Sequence, residues 1–116
     1  MAHQNGNAGF GDDADKVLIV TVELKDFRGP KERNQAYIDG GLFSMSLIYA
    51  MHSLGIGTCA LNLSLNHKDE LELLREAEIP HSEIAIMMIA IGKIPEQFYV
   101  ADSARRDLED VVKIIR

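Results

Sequence analysis

Between Ile84 and Ile91 the chain reads IAIMMIAI, eight apolar residues without a polar interruption. A strand with one wet face alternates apolar with polar side chains, so a run lacking that alternation belongs to a strand covered on both faces. Helices must then pack on each side of the sheet that contains it. The segment Val17 to Leu24, VLIVTVEL, supplies a second strand, rich in β-branched residues and bounded by charge. From Ala36 to Leu54 the residues Ile38, Leu42, Phe43, Met45, Leu47, Ile48 and Met51 wrap most of a helix circumference, which predicts a helix enclosed on all sides. Gly55 can take the left-handed conformation that closes such a helix, and Gly57 keeps the next turn free of side chains. Residues Thr58 to Leu63 read as a short extended segment. Asn66 is a suitable N-cap for a helix that carries Asp69 and Glu70 in its first turn and turns Leu71, Leu73, Leu74 and Ala77 inward. A last helix is expected from about Asp107 to Ile115, with Leu108, Val111, Val112 and Ile115 along one side.

These elements define an α+β chain: a three-layer α/β/α sandwich around a largely antiparallel sheet. With 116 residues it holds one domain and modest room for a deep cavity, so a cofactor site calls for a partner chain. Residues 1–15, polar, glycine-rich and acidic, are expected to form a flexible lead-in, and residues 16–116 the domain. At 47% hydrophobic and 26% charged the sequence lies in the globular range. Twelve Lys and Arg against 18 Asp and Glu give a net charge of -6, which disfavours binding along a nucleic-acid backbone. No Asp, Glu, Lys or Arg occurs from Gly40 to Asn66, yet Gly55 and Gly57 interrupt the stretch before it could span a membrane. The single cysteine, Cys59, has no internal disulfide partner, and no His or Cys spacing suits a metal. A reducing cytoplasm is the natural setting.

Individual residues carry little chemistry by themselves. His52 on the apolar helix reads first as a core or interface histidine, and Cys59, with no cation near it in sequence, as a buried inert thiol. His67 and His81 are expected in solvent. The glycines of LGIGTCALN either cap a helix or bring backbone N–H groups close to a planar or anionic ligand. Arg105 either lies in solvent or clamps a phosphate with its fork of donors.

Their order along the chain is more informative. Asp39-Gly40-Gly41 opens the long apolar helix, HSLGIGTCALN closes it, an apolar strand ends in Gly92-Lys93-Ile94-Pro95, and SARRDLEDVV follows. In this order the residues resemble the C-terminal part of the FMN-dependent nitroreductase family, from about Val17 to Arg116. The resemblance implies that the segment after the glycine turn, Ala60, Leu61, Asn62 and Leu63, passes beside the flavin ring with its amides toward the reactive edge. It implies that Arg105, with Ser103 beside it, contacts the FMN phosphate. No side chain is then catalytic, because the flavin carries the hydride. The implied activity is two-electron, ping-pong reduction of a nitro or quinone-type acceptor at the expense of NAD(P)H, in a cytoplasmic homodimer. The family's Arg-rich helical half, which grips the phosphate and ribityl chain, has no counterpart before Val17, so the chain is expected to be a portion of the domain with weak or no FMN binding by itself. The rival expectation is a non-catalytic dimerisation or structural domain that keeps the family's core.

Overall fold

The computed structural model describes residues 14, 16–100 and 102–115. The lead-in expected at 1–15 therefore lies, Ala14 apart, outside the described residues. Three strands, β1 (Lys16–Glu23), β2 (Ile56–Leu61) and β3 (Glu83–Lys93), form a sheet in the order β1-β3-β2, with both pairings antiparallel. Helix α1 (Gln35–Ser53) connects β1 to β2, α2 (His67–Glu76) connects β2 to β3, and a single turn, α3 (Leu108–Val111), follows in the tail. The unbroken apolar run is thus the middle strand, hydrogen-bonded on both sides. Its residues Met88, Ile89 and Ala90 are buried, and Ile89 has no exposed surface.

Each face of the sheet has its own cover. On one, Leu61 of β2, Met88 and Ala90 of β3 and Leu73 of α2 form a buried cluster, with Val17 and Ile19 packed against it. On the other lies α1, which touches all three strands. Side-chain alternation along the ladder turns Leu18, Val20, Met87 and Ile89 toward it.

A bulge interrupts the β1–β3 register: Val20 pairs with Met87 but Thr21 with Ala85, leaving Ile86 as the additional residue. In consequence Ala85 joins the cluster on the α2 side, while Ile86 turns to the α1 side and meets Gly40. A Cβ at position 40 would lie 2.7 and 2.8 Å from the two γ-carbons of Ile86. The buried residues of α1 are Ala36, Gly40, Ser44 and Met51, so the stripe nearest the sheet is built from small residues. Ser44 is fully buried, and its hydroxyl donates to the Gly40 carbonyl at 2.7 Å.

This corrects the expectation of an enclosed helix. Tyr37, Ile38, Leu42, Phe43, Met45 and Tyr49 are exposed, because the described residues cover one side of α1 only. The expected last helix is also corrected. It is one turn long, Val112 is already extended (φ -121°, ψ 126°), and Leu108, Val111, Val112 and Ile115 are exposed. Two adjacent β-branched pairs, Val111-Val112 and Ile114-Ile115, disfavour continued helix, and a four-residue helix without a packing partner is poorly stable. The extended segment predicted at 58–63 begins earlier, at Ile56, directly after the helix stop, and ends at Leu61. Cys59 is exposed and not buried as expected, and His52 is exposed, which removes the core alternative and leaves the interface one, whereas His67 and His81 are exposed as expected. Cys59 stands on β2, an edge strand of the sheet.

The local signals hold in detail. Gly55 has φ +74°, the left-handed conformation that ends α1. At Gly57 a Cβ would sit 3.2 Å from the Gly92 carbonyl oxygen across the β2–β3 ladder. The Asn66 side chain accepts from the Asp69 N–H at 3.0 Å and caps α2. Replacing Asn66 with alanine leaves that donor unpaired, and the urea midpoint is expected to fall by the equivalent of about 1 kcal/mol. At the far end of β1 the Lys25 ammonium, 3.0 Å from the Glu23 carboxylate, is the main cause holding that carboxyl below its ordinary range, with the Ser82 hydroxyl donating to the same oxygen. No helix among the described residues is long and apolar enough to cross a membrane, and no group of His, Cys, Asp and Glu among them could hold a metal ion.

Candidate functional site

The segment following the glycine turn leaves the sheet in the middle of its course. Ala60 and Leu61 are the last two residues of β2, and the final ladder pair is Leu61 with Met88. Leu61 buries its side chain in the core cluster, which anchors the backbone just before the departure. Asn62 and Leu63 lie beyond the last pair, so their N–H groups are outside the sheet's hydrogen bonds. Ala60 and Asn62 are exposed, and Leu63 is half-buried against the core. The Leu63 carbonyl accepts from the Leu65 N–H at 2.7 Å, a tight turn that carries the chain toward the Asn66 cap. Two ladder residues with small or apolar side chains are thus followed at the sheet edge by two residues whose backbone donors lie outside the ladder.

Beside Leu63 is a cavity of about 130 Å³, lined by Tyr37 of α1, Leu65, Glu70 of α2 and Ala85 of β3. Tyr37 and Glu70 were not legible as site residues in the sequence. Tyr37 was one exposed aromatic on an apolar helix, and Glu70 had a sufficient reason to exist as an acid in the first turn of α2. A larger cavity, about 560 Å³, lies on Gly57, Thr58 and Cys59 of β2 and Ala90–Lys93 of β3, and Pro95, Phe98 and Tyr99 of the tail fold toward it.

Ser103 and Arg105 stand in the exposed tail after β3. The Arg105 guanidinium donates to the Ser103 carbonyl at 3.1 Å and also to the Ser103 hydroxyl. Among the described residues no hydrogen bond or cavity joins this pair to Ala60–Leu63. Among the described residues the two groups expected to contact the cofactor, Ala60–Leu63 and Ser103 with Arg105, are not brought together.

An antiparallel sheet between one long and one short helix, with an extended segment peeling away from its edge strand, defines the class as an α+β three-layer sandwich. Solved structures share it. The chain superposes with a TM-score of 0.68 on an FMN-dependent nitroreductase from Clostridium difficile R20291, at 15% identity over 91% of this chain and 61% of that one. It superposes with a TM-score of 0.65 on a nitroreductase with bound FMN from Bacteroides fragilis NCTC 9343, at 20% identity over 89% of this chain and 52% of that one. A nitroreductase family protein from Streptococcus pneumoniae TIGR4 gives 0.60 at 19% identity, over 78% of this chain and 42% of that one. These identities establish the fold, and the chain spans less than two-thirds of the length of each. No curated protein matches the sequence. The model of the nitroreductase family matches residues 1–93, and the chain belongs to that family. The match includes Ala60–Leu63 and ends before Ser103 and Arg105.

Proposed function

We propose that this chain forms the FMN-contacting part of an NAD(P)H-dependent oxidoreductase that reduces nitro or quinone-type acceptors. The observation that carries the reading is the departure of Asn62 and Leu63 from the ladder, which leaves two backbone donors outside it beside small and apolar side chains. That donor set suits the polar edge of a flat heteroaromatic ring. Ala60 gives the ring room, the buried Leu61 side chain fixes the backbone, and the Asn62 and Leu63 N–H groups donate to the ring edge. Ser103 and Arg105 suit a phosphate dianion, for which a guanidinium is the better of the two cationic partners. When bound, FMN supplies hydride uptake from NAD(P)H and two-electron delivery to the acceptor, in alternation. The chain's own residues bind and orient, and none exchanges a proton in this reading. The exposed apolar face of α1 supports association into a homodimer, and we place the protein in the cytoplasm.

The test is a titration of the 116-residue chain with FMN, followed by the backbone amide resonances. Shifts are expected at Ala60–Leu63, with a dissociation constant weaker than about 10 μM for contacts made by a segment in which Ala60 and Asn62 are exposed. Arg105→Ala is expected to weaken binding by about tenfold, the worth of one charge-assisted hydrogen bond. Unmoved amides at 60–63, or an Arg105→Ala variant that titrates like the parent, count against the assignment. The uncovered face of α1 also favours a second reading, a dimerisation domain that takes no flavin. Concentration-dependent association with no FMN response at any amide selects it.

A further inference from the structure

The cavity beside Leu63 holds two polar side chains that the flavin reading leaves unused. Tyr37 brings a phenol from α1 and Glu70 a carboxylate from α2, and the remaining lining, Leu63, Leu65 and Ala85, is apolar. Neither polar side chain has a hydrogen-bond or ionic partner among the described residues. The volume, about 130 Å³, is close to the roughly 150 Å³ of a cavity that takes a benzene ring, enough for a small planar polar group with the edge of its ring. A phenol can donate to a carbonyl oxygen, and a carboxylate only accepts, so the pair is complementary to a group that presents one acceptor and one N–H donor in a plane.

We propose that Tyr37 and Glu70 recognise a primary carboxamide at this cavity, the Tyr37 hydroxyl donating to its carbonyl oxygen and the Glu70 carboxylate accepting from its NH₂. Resting on the flavin reading above, this names the carboxamide of the nicotinamide ring as the part of the electron donor that the chain itself reads. Position supports it, because Leu63 belongs both to the segment assigned to the flavin edge and to the cavity wall, so a ring seated here lies beside that edge. Charge supports it as well. A carboxylate in place of the carboxamide would face Glu70 with like charge and give it no proton to accept, and a site that hydrogen-bonds an N–H rejects the analogue that lacks one.

Nicotinamide and nicotinic acid, added separately to the isotope-labelled 116-residue chain, test the proposal through the amide resonances. Nicotinamide is expected to shift Leu63, Leu65, Glu70 and Ala85 with a dissociation constant of about 1 mM, in keeping with so small a ligand. Nicotinic acid is expected to bind at least about tenfold more weakly. Tyr37→Phe should weaken nicotinamide by about fivefold. Glu70→Gln should weaken it too and, since an amide can donate to a carboxylate, should erase the preference over nicotinic acid. A lost preference is what a merely structural Glu70 would not produce. Equal binding of the two probes, no shift at these amides, or an unchanged preference in Glu70→Gln overturns the assignment. If a variant fails to fold, the comparison of the two probes on the parent chain still decides. FMN shifts at Ala60–Leu63 without a nicotinamide response remove the carboxamide site and keep the flavin reading, and the reverse pattern keeps the site and removes that reading.

Discussion

Replacing Gly40 with alanine destabilises the chain by about 2 kcal/mol, the cost of forcing one methyl into a filled contact, although alanine is the better helix former by about 1 kcal/mol. The new Cβ would sit 2.7 Å from one γ-carbon of Ile86, 2.8 Å from the other and 3.1 Å from its β-carbon. Ile86 cannot swing away as a lysine tip could, since both γ-carbons and the branch point are involved and its rotamer is stiff. The neighbouring glycine provides the control. At Gly41 an added Cβ meets nothing within 4 Å, so Gly41→Ala should gain from helix propensity alone and raise stability by about 0.5–1 kcal/mol. Two adjacent glycines on one helix are thus expected to respond with opposite sign in urea unfolding. Combining Gly40→Ala with Ile86→Ala should recover at least about 1 kcal/mol relative to the sum of the single changes, because the clash needs both partners. Additive effects would show that Gly40 is constrained by something other than Ile86.

A still larger loss is expected at the centre of the sheet. Ile89 has no exposed surface, lies on the middle strand between Leu18 and Ala60, and faces α1. Truncation to alanine removes three buried carbons and leaves a void that a strand held on both edges cannot collapse into, so a cost of about 3–4 kcal/mol is expected. Against a total of about 5–15 kcal/mol for a domain, that loss moves the urea midpoint a large part of the way to zero. Ile89→Val, by contrast, should cost about 1 kcal/mol. Two similar midpoints for the alanine and valine variants would mean that the void fills by rearrangement and that the middle strand is held less firmly than its burial implies.

The fold was legible wherever one residue type has one physical use. Ile84–Ile91 reads as a strand covered on both faces, Gly55 as a helix stop and Asn66 as a cap, and all three are observed in those roles. The apolar circumference of α1 predicts enclosure on all sides, but among the described residues only one side is covered, and there the sheet is approached by Ala36, Gly40 and Ser44, where close packing rewards small size over hydrophobicity. The period-four spacing of these three was in the sequence, and the apolar residues between them concealed it. The tail failed for another reason. Leu108, Val111, Val112 and Ile115 have helical spacing, yet spacing lengthens a helix only where a surface receives it, and these four are exposed. For the candidate site, the order of short motifs located Ala60–Leu63, while Tyr37 and Glu70 became visible only when α1 and α2 converged on one cavity.

The extra residue at Ile86 also governs how this chain can change length. Alternation sets a parity along a strand, and Ile86 reverses it once, so that Ala85 and Met88 look the same way although their numbers differ in parity. Loss of that one residue would straighten the strand and leave the phase of everything preceding it unchanged, with the side chain at position 85 still toward α2 and that at 84 toward α1. Insertions or deletions before the bulge are therefore tolerable in pairs, and a single one is tolerable only if the bulge moves or vanishes with it. The bulge and Gly40 therefore form one packing unit, because the extra residue is the one whose side chain leaves no room for a Cβ at position 40.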